Sequence, residues 1–169
     1  MNRLRDARFP EDRALVQGLF RDYQSWLGVD LCFQDFSAEL EGLPGSYAPP
    51  RGAVLLAEVD GLPAGVVAMR PLESSLLGAG PLAEMTGSVA EMKRLYVMPA
   101  FQGQGLGRAL AEAVLARARN CGYRTMVLDT LTRLTAALAL YRHLGFEQGP
   151  AYTTNPLDGV LFLRRDLGS

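Results

Sequence analysis

One histidine and two cysteines are all that 169 residues offer of the side chains that bind transition metals or build disulfide frameworks. Cys32 and Cys121 lie far apart, in no CxxC or Cys/His spacing, so the sequence predicts no metal site and two reduced thiols. An excess of charge of one sign is also lacking. The formal net charge is −1, and the basic residues are scattered, with Arg164-Arg165 the only late pair. A nucleic-acid binder needs clustered cations to displace counterions from phosphates, so no nucleic-acid partner is expected. No apolar run approaches the roughly 18 residues of a membrane span, and the charged start MNRLRDARFP is followed by no apolar signal core. A cytoplasmic protein without a membrane partner is the expectation.

What is present is ordinary for a globular domain, with 49% apolar and 21% charged residues. The length suits a single domain over residues 1–169 with a substantial core. The stretch from Pro10 to Gly28 carries Leu15, Leu19, Tyr23 and Trp26 at helical spacing, and a shorter helix is read around Gln34 to Leu40. Two Val-rich runs joined at Asp60-Gly61 read as a β-hairpin. The segment ESSLLGAGPLAEMTGS has no clear period and reads as a loop. Val89 to Met98 reads as a strand closed by Pro99, and Leu106 to Asn120 as a helix stopped by Gly122. RTMVLDT is a short buried strand, LTAALALYRHLGF a helix ending at Gly145, and GVLFLRRDL a closing strand. The predicted order is two helices, a hairpin, then alternating strands and helices, an α/β (α+β) arrangement with helices flanking a mixed sheet.

Between the strand ending at Pro99 and the helix beginning at Leu106 lies FQGQGLGRAL. A dinucleotide fingerprint G-x-G-x-x-G fails in both registers, because the sixth position is Arg108 or Leu110. A P-loop fails for want of Gly-Lys-Ser/Thr. The geometry still suits an anion, since glycines bring the backbone close to a ligand and a helix N-terminus presents free N–H groups to it. Arg108 adds positive charge in the first turn, where the helix dipole does not favour it. The same residues also read as a tight turn with a solvated arginine.

Gln102-Gly103-Gln104-Gly105-Leu106-Gly107 is similar to the Q/R-x-x-G-x-G/A motif of the GNAT superfamily of acyl-CoA-dependent N-acyltransferases. LYVMPAFQGQGLGRAL resembles that family's whole strand-loop-helix, and AALALYRHLGF its second signature, with Tyr141 ahead of Gly145-Phe146. The resemblance runs over roughly residues 10 to 167. It implies the GNAT fold: a mixed, mostly antiparallel twisted sheet of six or seven strands, flanked by about four helices and splayed at the central strand. It also implies acetyl-CoA as acyl donor, no metal, and a small-molecule or peptide amine as acceptor, in a monomer or homodimer. The reaction implied is direct attack of a primary amine on the thioester. A regulatory acyl-CoA-binding module without turnover is the alternative.

Carried over residue by residue, the resemblance makes Gln102, Gly103, Gln104, Gly105, Leu106 and Gly107 the cradle for the coenzyme A pyrophosphate, with Arg108 beside it. Leu95 and Val97 would meet the pantetheine arm through their main chain. Tyr141 matches the tyrosine that hydrogen-bonds or protonates the departing thiolate, with a core tyrosine on the buried helix face as the competing reading. Where the family often has a cofactor-touching Asn before this helix, the chain has Leu134, which leaves backbone, Thr132 or Arg133 for that contact. Strand alternation would put Glu91, Lys93, Leu95 and Val97 on one face, making Glu91 the candidate base, with Glu84 as alternative. A solvated or ion-paired Glu91 is the competing reading. His143 falls off the Tyr141 face and suits the helix C-terminus. Trp26, Phe33, Phe36, Tyr47 and Tyr152 are candidates either for an acceptor pocket or for the core, and Glu73 and Asp30 for an ammonium contact.

Overall fold

The computed structural model describes residues 1–72 and 88–168. The chain runs β1 (Asn2–Asp6), α1 (Arg13–Leu27), α2 (Phe36–Glu41), β2 (Ala53–Val59), β3 (Leu62–Pro71), β4 (Val89–Val97), α3 (Leu106–Asn120), β5 (Thr125–Leu131), α4 (Thr135–His143), β6 (Glu147–Gln148) and β7 (Val160–Asp166). The strands form one seven-stranded sheet in the order β1-β2-β3-β4-β5-β7-β6. Among the described strands, β4 and β5 alone run parallel, and the other neighbours pair antiparallel. This is the mixed, mostly antiparallel sheet that the sequence implied.

The β2–β3 hairpin turns at Asp60 (φ 51°) and Gly61 (φ 80°), two left-handed residues whose twist matches that of the flanking strands. Helix α1 buries Val16, Leu19, Phe20 and Leu27 and stops at left-handed Gly28, whose N–H donates to Gln24 O. Its buried stripe is rotated from the expected one, leaving Trp26 45% exposed. Strand β1 was not expected. Asn2–Asp6 contains one apolar residue, Leu4, and is held at the sheet edge by main-chain pairing from Asn2↔Val59 to Asp6↔Leu55, which needs no hydrophobic alternation. Helix α3 has the predicted bounds and buries Leu106, Leu110, Ala111, Val114, Leu115 and Ala118.

Two apolar layers sandwich the sheet. On one face α3 and α4 pack against Ala57, Val67, Met69, Met92 and Met126; on the other α1 and α2 pack against Leu56, Val66, Ala68 and Tyr96. Two irregularities of β4 matter for function. The β4–β5 pairing runs from Val89↔Thr125 to Glu91↔Val127 and ends there, although both strands continue, so they splay apart. A bulge centred on Arg94 (φ 62°), where the β3 register slips between Val66 and Ala68, reverses the side-chain alternation. Glu91 and Lys93 therefore share the face of α1 and α2, whereas Leu95 and Val97 pack toward α3 and α4. The expectation of one common face is corrected here, because a bulge shifts the period-two pattern by one residue.

Candidate active site

After β4, Pro99–Phe101 makes one 3-10 turn, and Gly103 (φ 83°) and Gly105 (φ 78°) turn the chain into α3. Gln102 through Gly105 are exposed. The first main-chain donor to find an acceptor in the helix is Ala109 N, which donates to Gly105 O at 3.0 Å. Among the described residues, the N–H groups of 103–108 are without an intramolecular acceptor. A cluster of free donors at a helix N-terminus is an anion site. A Cβ at Gly103 or Gly105 would meet no atom within 4 Å, so the space before these amides is open. Leu106 contributes its backbone, its side chain being core. Arg108 pairs with Glu112 at 2.7 Å, an exposed i,i+4 contact that accounts for its charge locally and leaves it beside the loop.

The splay opens a cleft between β4 and β5. Leu95, Tyr96 and Val97 line one side, Leu128 to Leu131 the other, and Ala137, Leu140 and Tyr141 of α4 the end toward the glycine loop. A Cβ on Gly107 would lie 3.8 Å from Val97 and 3.9 Å from Leu140, which ties the helix start to this cleft. The Val97 carbonyl faces away from β3 and accepts from Gln102 Nε2 at 3.1 Å. Tyr141 packs edge-on against Phe146 with centroids 5.7 Å apart, and its hydroxyl makes no hydrogen bond among the described residues. Burial, reinforced by Tyr23 and Asp129, pushes that hydroxyl well above the ordinary tyrosine value, so it stays protonated and acts as a donor.

On the α1/α2 face a polar annex shares Gln34, Lys93 and Asp129 with the cleft and adds Arg70, Glu91, Tyr152, Thr153 and Thr154. Lys93 Nζ donates to Gln34 Oε1 at 3.0 Å and lies 3.7 Å from Glu91 and 4.0 Å from Asp129. Glu91 is 2% exposed, with Arg70 Nε donating to Oε1 at 3.0 Å and the Tyr152 hydroxyl to Oε2 at 2.6 Å. Burial alone would raise its pKa, but Lys93, Arg70 and the two hydrogen bonds outweigh burial and hold it below the usual carboxylate range. With both oxygens engaged, Glu91 would have to release Arg70 or Tyr152 to accept a proton, which is the requirement that a base role places on this geometry. The competing reading, an ion-paired glutamate, describes it. Burial pushes the Lys93 ammonium below the usual lysine value, against the pull of Glu91 and Asp129.

Asp129 lines both spaces, with Oδ2 accepting from Asn155 Nδ2 at 2.9 Å. Sequence reasoning missed it. The available signal was one acid inside the apolar strand TMVLDTL, since buried charge is rarely retained without a role. Tyr152 belongs to the annex, and Trp26 to the cleft mouth beside Tyr23 and Tyr96. Phe36 and Tyr47 are core residues, 3% and 2% exposed. Asp30 is spent on the Cys32 N–H, and His143 is exposed in the last turn of α4. Glu73 and Glu84, and the side chain of Phe33, lie outside the described residues.

The family described as Acetyltransferase (GNAT) matches over residues 14–146. An uncharacterized N-acetyltransferase of Schizosaccharomyces pombe is 34% identical over 161 residues, 95% of this chain and 91% of that protein. A GNAT-family acetyltransferase from Staphylococcus aureus Mu50 has the same fold, with a TM-score of 0.76 at 15% identity, over 99% of this chain and 100% of that one. A Salmonella typhimurium protein solved with its cofactor acetyl-CoA superposes with a TM-score of 0.65 at 22% identity, over 100% of this chain and 95% of that one.

Proposed function

Because the chain belongs to the acetyltransferase (GNAT) family, we propose that it transfers an acetyl group from acetyl-CoA to a primary amine of a small molecule or peptide. The observation that carries this reading is the alignment of the free N–H groups of 103–108 with a strand splay that ends at the unpartnered Tyr141 hydroxyl. The donor set fits a pyrophosphate, and the apolar cleft walls fit an extended arm laid along β4. Residues 102–107 hold the phosphates by main-chain donors, Arg108 adds charge beside them, and the main chain of Leu95 and Val97 lines the arm. Bound acetyl-CoA supplies the electrophilic thioester carbon and a sulfur leaving group.

The acceptor reaches the same point from the annex. Its nitrogen forms the new C–N bond as the C–S bond breaks. A lysine-like ammonium costs about 4–5 kcal/mol to deprotonate at pH 7, and an α-amino group about 1. Asp129, at the junction of cleft and annex, takes the ammonium proton directly or through one water. Tyr141 donates its O–H to the departing sulfur. With its pKa above that of the thiol, Tyr141 stabilises thiolate mainly by the hydrogen bond, and solvent completes the protonation. Glu91, held by Arg70, Lys93 and Tyr152, fixes the charged wall of the annex.

The test is thiol release from acetyl-CoA across a panel of primary amines. Amine-dependent release supports transfer, and binding of acetyl-CoA with no release from any amine supports the regulatory module instead.

A further inference from the structure

The annex differs from the rest of the cleft in carrying charge of both signs at separated points. At its inner end Asp129 faces the cleft; at its outer end lies Arg70, between them the Glu91–Lys93 pair. Arg70 engages Glu91 through Nε alone, and among the described residues its two terminal nitrogens make no hydrogen bond. Its side chain is 29% exposed, against 3% for Glu91, so those donors open onto the annex and onto the neighbouring hollow that it shares with Ser46 and Tyr47. Thr153 and Thr154 add hydroxyls to the same wall.

Arg70, Glu91, Lys93 and Asp129 balance to zero charge in their ordinary ionised forms. Among the described residues, this gives a neutral space with a carboxylate at one end and guanidinium N–H groups without a hydrogen-bond acceptor at the other, which penalises a lone cation and accommodates a zwitterion. Resting on the acetyltransferase reading, we infer that the acceptor is an amine carrying an anionic group, with the amine at Asp129 and the anion held by Arg70. The links from Arg70 to Glu91 (3.0 Å), Glu91 to Lys93 (3.7 Å) and Lys93 to Asp129 (4.0 Å) separate the two ends. Arg70 on β3 and Asp129 on β5 stand two strands apart with Glu91 of β4 between them, so an acceptor that spans them carries its anion several bonds from the nitrogen, further than the carboxylate of an α-amino acid. Arg70 is a specificity-determining residue: a planar fork binds a carboxylate or phosphonate in two-point fashion, which lysine cannot do.

The experiment uses the full chain, acetyl-CoA, and a homologous series of straight-chain ω-amino carboxylates from glycine to 6-aminohexanoate. Each is paired with the n-alkylamine of the same length, and thiol release is measured at matched free-amine concentration. The inference predicts that kcat/KM rises along the series and exceeds that of the matched alkylamine by about ten- to a hundredfold at the longer members. Arg70→Gln should collapse that ratio toward one, mainly through KM, and Arg70→Lys should restore part of it. Equal turnover of alkylamines and amino carboxylates overturns the inference while leaving acetyl transfer intact, as does a ratio unchanged in Arg70→Gln. No thiol release above background with any acceptor overturns the transferase reading and the inference together. Should Arg70→Gln fail to fold, the wild-type ratio decides alone.

Discussion

The Tyr152 hydroxyl donates a 2.6 Å hydrogen bond to Oε2 of Glu91, a carboxylate that is 2% exposed in the central strand. With Arg70 on the other oxygen, this turns the glutamate into the fixed anion of the site. Glu91→Gln would leave Arg70 and Lys93 with Asp129 as the one remaining annex carboxylate among the described residues, and a broken buried pair costs about 3–5 kcal/mol. Because Glu91's folded pKa is depressed, its contribution is complete above the unfolded carboxylate value and is lost as pH falls through the folded value. Urea unfolding of wild type and Glu91→Gln should therefore differ at neutral pH and converge in acid. A difference that stays constant into acid contradicts the ion-pair role.

Asp129→Asn removes the carboxylate at the junction without changing its size. Expected is a loss in kcat/KM of about a hundredfold for acceptors as basic as lysine, and a smaller one for amines with pKa near 8. Steady-state rates over two such acceptors measure it. Equal losses would assign Asp129 to binding.

Tyr141→Phe should lower kcat by about tenfold to a few hundredfold while changing acetyl-CoA affinity little. Since burial raises this hydroxyl above the ordinary tyrosine value, it keeps its proton beyond pH 10. With an acceptor amine of pKa near 8, the wild-type rate should rise as that amine deprotonates and then hold level through pH 10. A descending limb near pH 10 that disappears in Tyr141→Phe would contradict this.

Gly105→Ala tests the cradle. At φ 78° an L-residue costs about 1–2 kcal/mol, although the added methyl meets no atom within 4 Å. The loop should shift to relieve that strain and misalign its amides, weakening coenzyme A binding about five- to thirtyfold by calorimetry. Unchanged affinity would mean that the phosphates are held elsewhere.

Tyr47 has a buried hydroxyl with no partner among the described residues. Leaving such a group unsatisfied costs about 1–3 kcal/mol, so Tyr47→Phe should raise the unfolding free energy by about 1 kcal/mol. A destabilised variant would reveal a hydrogen bond that the folded chain makes there.

Much of this organisation was legible in the sequence because it rests on local rules. Asp60-Gly61 set a hairpin by its left-handed residues, and the residues bounding α3 follow from a glycine before it and another after it. Two spaced motifs singled out the glycine loop and Tyr141, and the fold sets both at one cleft. The bulge at Arg94 was not, because nothing local distinguishes Lys93-Arg94-Leu95 from regular strand, and it alone moved Glu91 and Lys93 to the opposite face from Leu95. Strand β1 escaped because it is held by main-chain pairing with β2 and by ion pairs of Arg3 and Arg5 with Glu58, long-range contacts that leave no hydrophobic alternation in its own sequence. Asp129 and Arg70 meet in the annex across three strands, a juxtaposition that only the tertiary fold creates.

The central claim is that the splayed cleft carries out acetyl transfer to nitrogen. The most direct measurement is mass spectrometry of both products after mixing the protein with acetyl-CoA and a primary amine. The account predicts one N-acetylated amine for each free coenzyme A formed, with both rates reduced together in Tyr141→Phe. Acetyl-CoA bound but recovered intact, with no acetylated amine across the panel, would contradict it.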